Sequence, residues 1–313
     1  MKWQSLAVLL AQAAALAGVL GCSSDARSRG GPGGGAAGLS GASNLSSGGG
    51  GSAGSTDSAC LENPTPRRSQ GSVLSLPLQL VMDSKPFVFG QPNALADGGS
   101  LVPLNLRFYI SEVELLRAGG QASIPVDVVT TSGVSEPYGV HFFNAEDGDS
   151  STLRVLAPPG DYAGLSFALG IKLSCNQQTP ASLTDPLTDS SQMTWPHTGG
   201  FLFLRYEGRS ASADGGGSAG ATSAHEIPAA VHMGGNITQE LVPRVTVPGA
   251  LSLPMGGRLE KSMSVVMDEI FKGATSNIDV SDVAIGLLST PEAEAGERLR
   301  RELPALHAFV LEP

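Results

Sequence analysis

The stretch Val73 to Asp83 sets the strongest limit on what this chain can fold into. Leu74, Leu76, Leu78, Leu80 and Met82 recur every second residue, with Ser75, Gln79 and Asp83 among the residues between them. A period of two places the apolar set on one face of an extended strand, so the segment predicts a half-buried strand. Pro77, which lacks a backbone donor, points to an edge position. The spacing continues in Phe87 and Phe89. It returns in Leu104, Leu106, Phe108 and Ile110, with Asn105, Arg107 and Tyr109 facing outward. The apolar set then moves to Val113 and Leu115, and such a change of phase predicts a bulge near Ser111 and Glu112. Shorter strands are expected at 124–130, 138–143 and 153–156. Pro158-Pro159-Gly160-Asp161 is a turn signal. Beyond it Leu165, Phe167, Leu169 and Ile171 alternate again, and further strands are expected at 201–208, 241–253, 263–271 and 308–311.

In Pro291 to Leu303 the acids Glu292, Glu294 and Glu297 precede Arg298, Arg300 and Arg301, the order a helix dipole favours. That segment is the single helix expected. Residues 71–313 thus read as an all-β domain, an antiparallel β-sandwich with long loops and one C-terminal helix.

The N-terminal part reads differently. Residues 1–21 have Lys2 ahead of an apolar run and end at Val19-Leu20-Gly21 before Cys22, the pattern of a lipoprotein signal peptide with Cys22 as the lipidated residue. Ser23 after that cysteine points to the outer membrane, on its periplasmic or its external side. From residue 22 to 70 the chain is rich in glycine and serine, including Gly48 to Gly51, and is expected to be a disordered, flexible tether reaching on the order of 35 Å. The net charge of −10 offers no basic footprint for nucleic acid. A monomer is expected.

Of three cysteines, lipidation of Cys22 leaves Cys60 and Cys175. In an oxidising compartment they read as a disulfide, with a pair of thiolate copper ligands as the alternative. Asp147-Gly148-Asp149-Ser150 is rich in oxygen donors but lacks the EF-hand spacing, so it is either a structural calcium loop or a solvated turn. No nucleophile elbow, His-Glu-x-x-His motif or phosphate loop is present, and the chain is not expected to be an enzyme. It also has no Cys-x-x-Cys-His haem attachment.

Chemistry concentrates at Met193 to Gly208. Trp195 and His197 lie two residues apart, on one face if the backbone is extended, and Pro196 between them belongs at a sheet edge or loop mouth. Imidazole is a common ligand for borderline metals, whereas indole has only an N–H donor and no lone pair. The simpler reading is a packed aromatic beside a surface imidazole. However, Asn176, Asp185-Pro186-Leu187, Met193-Thr194-Trp195, Gly200-Phe201 and Glu207-Gly208 together resemble the signature of the MbnP-type copper-binding proteins. Gly160-Asp161-Tyr162 through Ile171 is also similar to a stretch of that family.

The resemblance implies that a di-haem c-type, peroxidase-like partner enzyme oxidises Trp195 to kynurenine, whose aromatic amine can approach copper. It also implies His232, in Val231-His232-Met233-Gly234, as a further ligand. The expected site is therefore Trp195 as kynurenine, His197 and His232, holding Cu(I). His225 and His141 stand as alternatives to His232, and Met193 and Met233 read as core rather than as thioether ligands. The other reading is a non-metal adhesion or carbohydrate-binding sandwich on the same scaffold.

Overall fold

The computed structural model describes residues 60, 71–94, 99–195, 200–211, 227–235, 242–272, 298–305 and 307–313. The signal segment, Cys22, nearly all of the tether, His197 and His225 lie outside the described residues.

In chain order the strands are β1 (Ser72–Met82), β2 (Lys85–Pro86), β3 (Asn93–Ala94), β4 (Ser100–Leu116), β5 (Ile124–Pro125), β6 (Asp127–Val128), β7 (Val140–Asn144) and β8 (Thr152–Ala157). They continue with β9 (Gly160–Leu169), β10 (Leu202–Ala211), β11 (Ile227–Gly234), β12 (Arg244–Leu253), β13 (Arg258–Glu260), β14 (Met263–Val266) and β15 (Phe309–Leu311). They form two sheets. One runs β15-β14-β1-β8-β6, with β2 and β13 also on β1. The other runs β11-β10-β4-β9-β12, with β3, β5 and β7 also on β4. The expected β-sandwich is the observed architecture. Its interior is aromatic at the centre. Phe108 stacks on Phe143 at 4.4 Å between centroids, and Phe309 from the opposite sheet meets Phe108 and Phe167 edge-on at 6.1 and 5.1 Å.

Strand β1 is central, not an edge. It pairs antiparallel with β8 on one side and parallel with β13 and β14 on the other. Pro77 is tolerated because its second neighbour is interrupted there: pairing with β13 ends at Ser75 and pairing with β14 begins at Leu78. The bulge expected in β4 is present, with the register to β9 shifting between Ser111 and Glu114 and Glu112 at φ 50°. A second irregularity was not expected. The register to β10 skips Leu104, so Leu104 faces solvent at 42% exposure instead of joining the apolar face.

Met263 to Phe271 is a strand only to Val266. Met267–Lys272 is helix α2, following the short helix α1 at Leu173–Asn176. Met267, Ile270 and Phe271 are buried at spacings of three and four, the helical period, which the alternation just before them conceals. Residues 298–302 are helical within the expected C-terminal helix, whose earlier part lies outside the described residues. That helix is therefore joined by α1 and α2.

Candidate metal centre

One row of residues crosses the eight-stranded sheet. His232 on β11 lies opposite Arg205 on β10, Arg205 opposite Arg107 on β4, and Arg107 opposite Asn144 on β7. Directly opposed residues in antiparallel strands share a face. Alternation alone leaves Arg107 and Tyr109 in water, yet both are buried, at 7% and 0% exposure. The connection from α1 to β10 covers them. The Tyr109 hydroxyl bonds to the Pro186 carbonyl at 2.9 Å and to Ser191 Oγ at 3.0 Å, and burial pushes its phenol well above the ordinary range. Arg107 donates to the Ser191 carbonyl at 3.1 Å, Gln192 Oε1 at 2.9 Å, Glu146 at 2.9 Å and Asn144 at 3.3 Å. A guanidinium with five donors in a fixed fork suits this work, because it ties the loop at Ser191 and Gln192 to Asn144 and Glu146 at the same time.

The pinned loop delivers Trp195. Thr194 bridges Phe201, the Leu202 N–H donates to the Met193 carbonyl at 2.7 Å, and the Trp195 N–H donates to the Gly200 carbonyl at 3.1 Å. Trp195 and Gly200 thus face each other across a mouth, and His197 belongs to the segment between them, outside the described residues. Asn176 closes the base of this mouth. It is buried, accepts from the Phe201 N–H at 2.8 Å and donates to the Gly235 carbonyl at 2.8 Å. Gly200 sits at φ 80°, and a Cβ there would come within 2.9 Å of Gly235 and 3.0 Å of Asn176 Oδ1, so glycine is required on both counts.

The structure brings two of the expected ligands together. The rings of Trp195 and His232 meet edge to face at 5.8 Å between centroids. Trp195 is partly buried against the core, and its Nε1 is buried with no hydrogen-bond partner among the described residues. His232 Nε2 lies 3.2 Å from Glu207 Oε1. Glu207 is in turn gripped by Arg205, whose Nε and Nη2 donate to its carboxylate at 3.0, 2.8 and 3.0 Å. Arg205 Nη1 donates to the Gln192 carbonyl at 2.7 Å. Burial pushes the Glu207 carboxyl up, but the His232 bond and the Arg205 charge outweigh it and hold it below the usual range.

The other candidates stand apart. His141 on β7 is buried and pushed down to about 4, burial being the main cause, so it is a neutral core histidine. Met193 and Met233 are fully buried. Cys60 and Cys175 are joined as a disulfide with Cα atoms 4.8 Å apart, which removes both as thiolate ligands. Asp147 spends its side chain on the Asp149 N–H at 3.0 Å within a single helical turn. Among the described residues no group of three or more His, Cys, Asp and Glu is placed to hold a metal; the expected set draws only one imidazole from them. Sequence reasoning gave no role to Glu207, Arg205 or Arg107. The available signal was the two-residue spacing of Arg205 and Glu207 on the strand beside His232.

No curated protein is similar enough to register as a relative. Among solved structures, MbnP from Methylosinus trichosporium is similar at 19% identity, covering 72% of this chain and 87% of that one with a TM-score of 0.47. The MbnP family model matches residues 71–288, well over half of the sequence, and the chain therefore belongs to the MbnP family, a copper-associated family.

Proposed function

We propose that this protein is a lipid-anchored, extracytoplasmic copper-binding protein and not an enzyme, in which Trp195, remade as kynurenine, binds Cu(I) together with His197 and His232. The anchor is Cys22, and the oxidant is supplied by a di-haem c-type, peroxidase-like partner. The observation that carries the reading is the pairing of Trp195 with His232, combined with a buried indole nitrogen that finds no partner among the described residues. A buried N–H left unbonded costs about 1–3 kcal/mol. The cost becomes intelligible if the nitrogen is destined to become a donor.

The conversion balances. The indole C2–C3 bond breaks as two oxygen atoms, from dioxygen or its peroxide equivalents activated on the partner's haem, enter the ring. Hydrolysis of the resulting formamide then releases formate and leaves an aromatic amine. The bound metal would supply a soft Lewis-acid centre, and Cu(I) tolerates the low coordination that two imidazoles and an amine provide.

Intact mass tests the first half. Protein produced with the partner enzyme should differ from protein produced alone by the gain of one oxygen and the loss of one carbon at Trp195. Cu(I) titration tests the second half, with His197→Ala and His232→Ala each expected to weaken binding severely. An unaltered Trp195, with copper uptake no greater than that of the double-alanine variant, would leave only a non-metal surface-binding sandwich.

A further inference from the structure

We infer that Glu207 is the positioning residue of the copper site: it holds the Nε2 proton of His232, so that Nδ1 carries the lone pair offered to the metal. The inference rests on the proposed function, and its argument is geometric. Arg205 saturates Glu207 from one side with three hydrogen bonds to the two carboxylate oxygens. A carboxylate paired in this way is ionised and has only acceptor capacity left. The 3.2 Å contact from His232 Nε2 to Oε1 is therefore a hydrogen bond only if Nε2 bears the proton. A neutral imidazole has one N–H and one lone pair, so the lone pair lies on Nδ1.

The support behind Glu207 is continuous. Arg205 is fixed by the Gln192 carbonyl, and Gln192 by Arg107, which is itself buried and anchored to Ser191, Asn144 and Glu146. Arg205 and Glu207 project from the same face of β10, and His232 lies opposite Arg205 on the neighbouring strand, so the sheet register itself sets the distance. Metal-binding histidines characteristically give their second nitrogen to such a partner, and loss of the partner costs 10–100-fold in affinity.

Two measurements test it. Long-range proton–nitrogen NMR of the metal-free, histidine-labelled protein should show His232 protonated at Nε2, a readout independent of copper. In the kynurenine-bearing protein, Glu207→Ala should weaken Cu(I) binding about 10–100-fold against a competing chelator. Glu207→Gln, whose amide oxygen still accepts, should fall between that variant and wild type. A His232 protonated at Nδ1 in the wild type overturns the inference even if Glu207→Ala fails to fold. So does a Glu207→Ala variant that binds Cu(I) as wild type does while His232→Ala loses binding; that outcome leaves the parent reading intact. If His232→Ala also binds as wild type does, the parent reading falls together with the inference.

Discussion

At His141 one ring nitrogen bonds the backbone of Ser150, whereas Nε2 is buried without a partner. Burial lowers the folded-state value to about 4 from 6.5, so between those two values the unfolded chain takes up a proton that the native protein refuses. Stability therefore falls as pH drops through that window and is unaffected by this group above it. At about 1.4 kcal/mol per pH unit the loss reaches about 3 kcal/mol near pH 4. Urea denaturation at pH 7.5, 6 and 5 should show it. His141→Asn, which keeps a donor for Ser150, should be less sensitive to acid over the same range. Parallel pH dependences for the two proteins would place the acid sensitivity elsewhere.

The elements that build the site are held by few, identifiable bonds. Asn176 on α1 satisfies two backbone groups at the ends of β10 and β11 at once. Asn176→Ala leaves both buried and unpaired, and about 2–5 kcal/mol of stability should be lost. Cu(I) affinity should fall with it, because Gly200 and Gly235 frame the mouth that carries Trp195; chemical denaturation and chelator competition measure the two effects separately. The adjacent disulfide closes a loop of 115 residues in sequence, so replacing Cys60 and Cys175 by serine should cost about 4–5 kcal/mol in the chain-entropy model. A loss of Tm matched by reductant on the wild-type protein would confirm that the bond is the cause.

These same elements show where sequence reading succeeds and where it stops. The alternation in β1 and β9 is a purely local signal and identified both strands, as did the phase change at Ser111. It could not place β1 at the centre of its sheet, because which strands flank Pro77 is a non-local fact. Nor could it show that Arg107 and Tyr109 are covered. Their burial depends on a loop some eighty residues later in the chain, and polar residues on an alternating strand look the same whether they meet water or a lid. Trp195 and His232 were joined by the family resemblance rather than by spacing. Glu207, bonded to His232, stands in the family signature but drew no chemical role, because a charged residue outward on a strand is ordinary.

For the molecule as a whole, the proposed copper binding predicts a gain in stability. Any ligand that binds the native state alone raises unfolding free energy by RT ln(1 + [L]/Kd), about 2.7 kcal/mol at a free concentration a hundredfold above Kd. A domain of this size gains about 2–4 °C per kcal/mol, so Cu(I) should raise Tm by roughly 5–10 °C. The net charge of −10 offers a competing cause, since an anionic surface accumulates cations without a specific site. Salt separates the two. Diffuse accumulation is screened within about 10 Å at 0.1 M ionic strength, whereas coordination by imidazole and amine is not. The shift should therefore persist in salt, disappear in His232→Ala, and be absent from protein whose Trp195 has not been oxidised. A shift that His232→Ala retains and salt removes would assign the copper to the surface charge instead of to the mouth between Trp195 and Gly200.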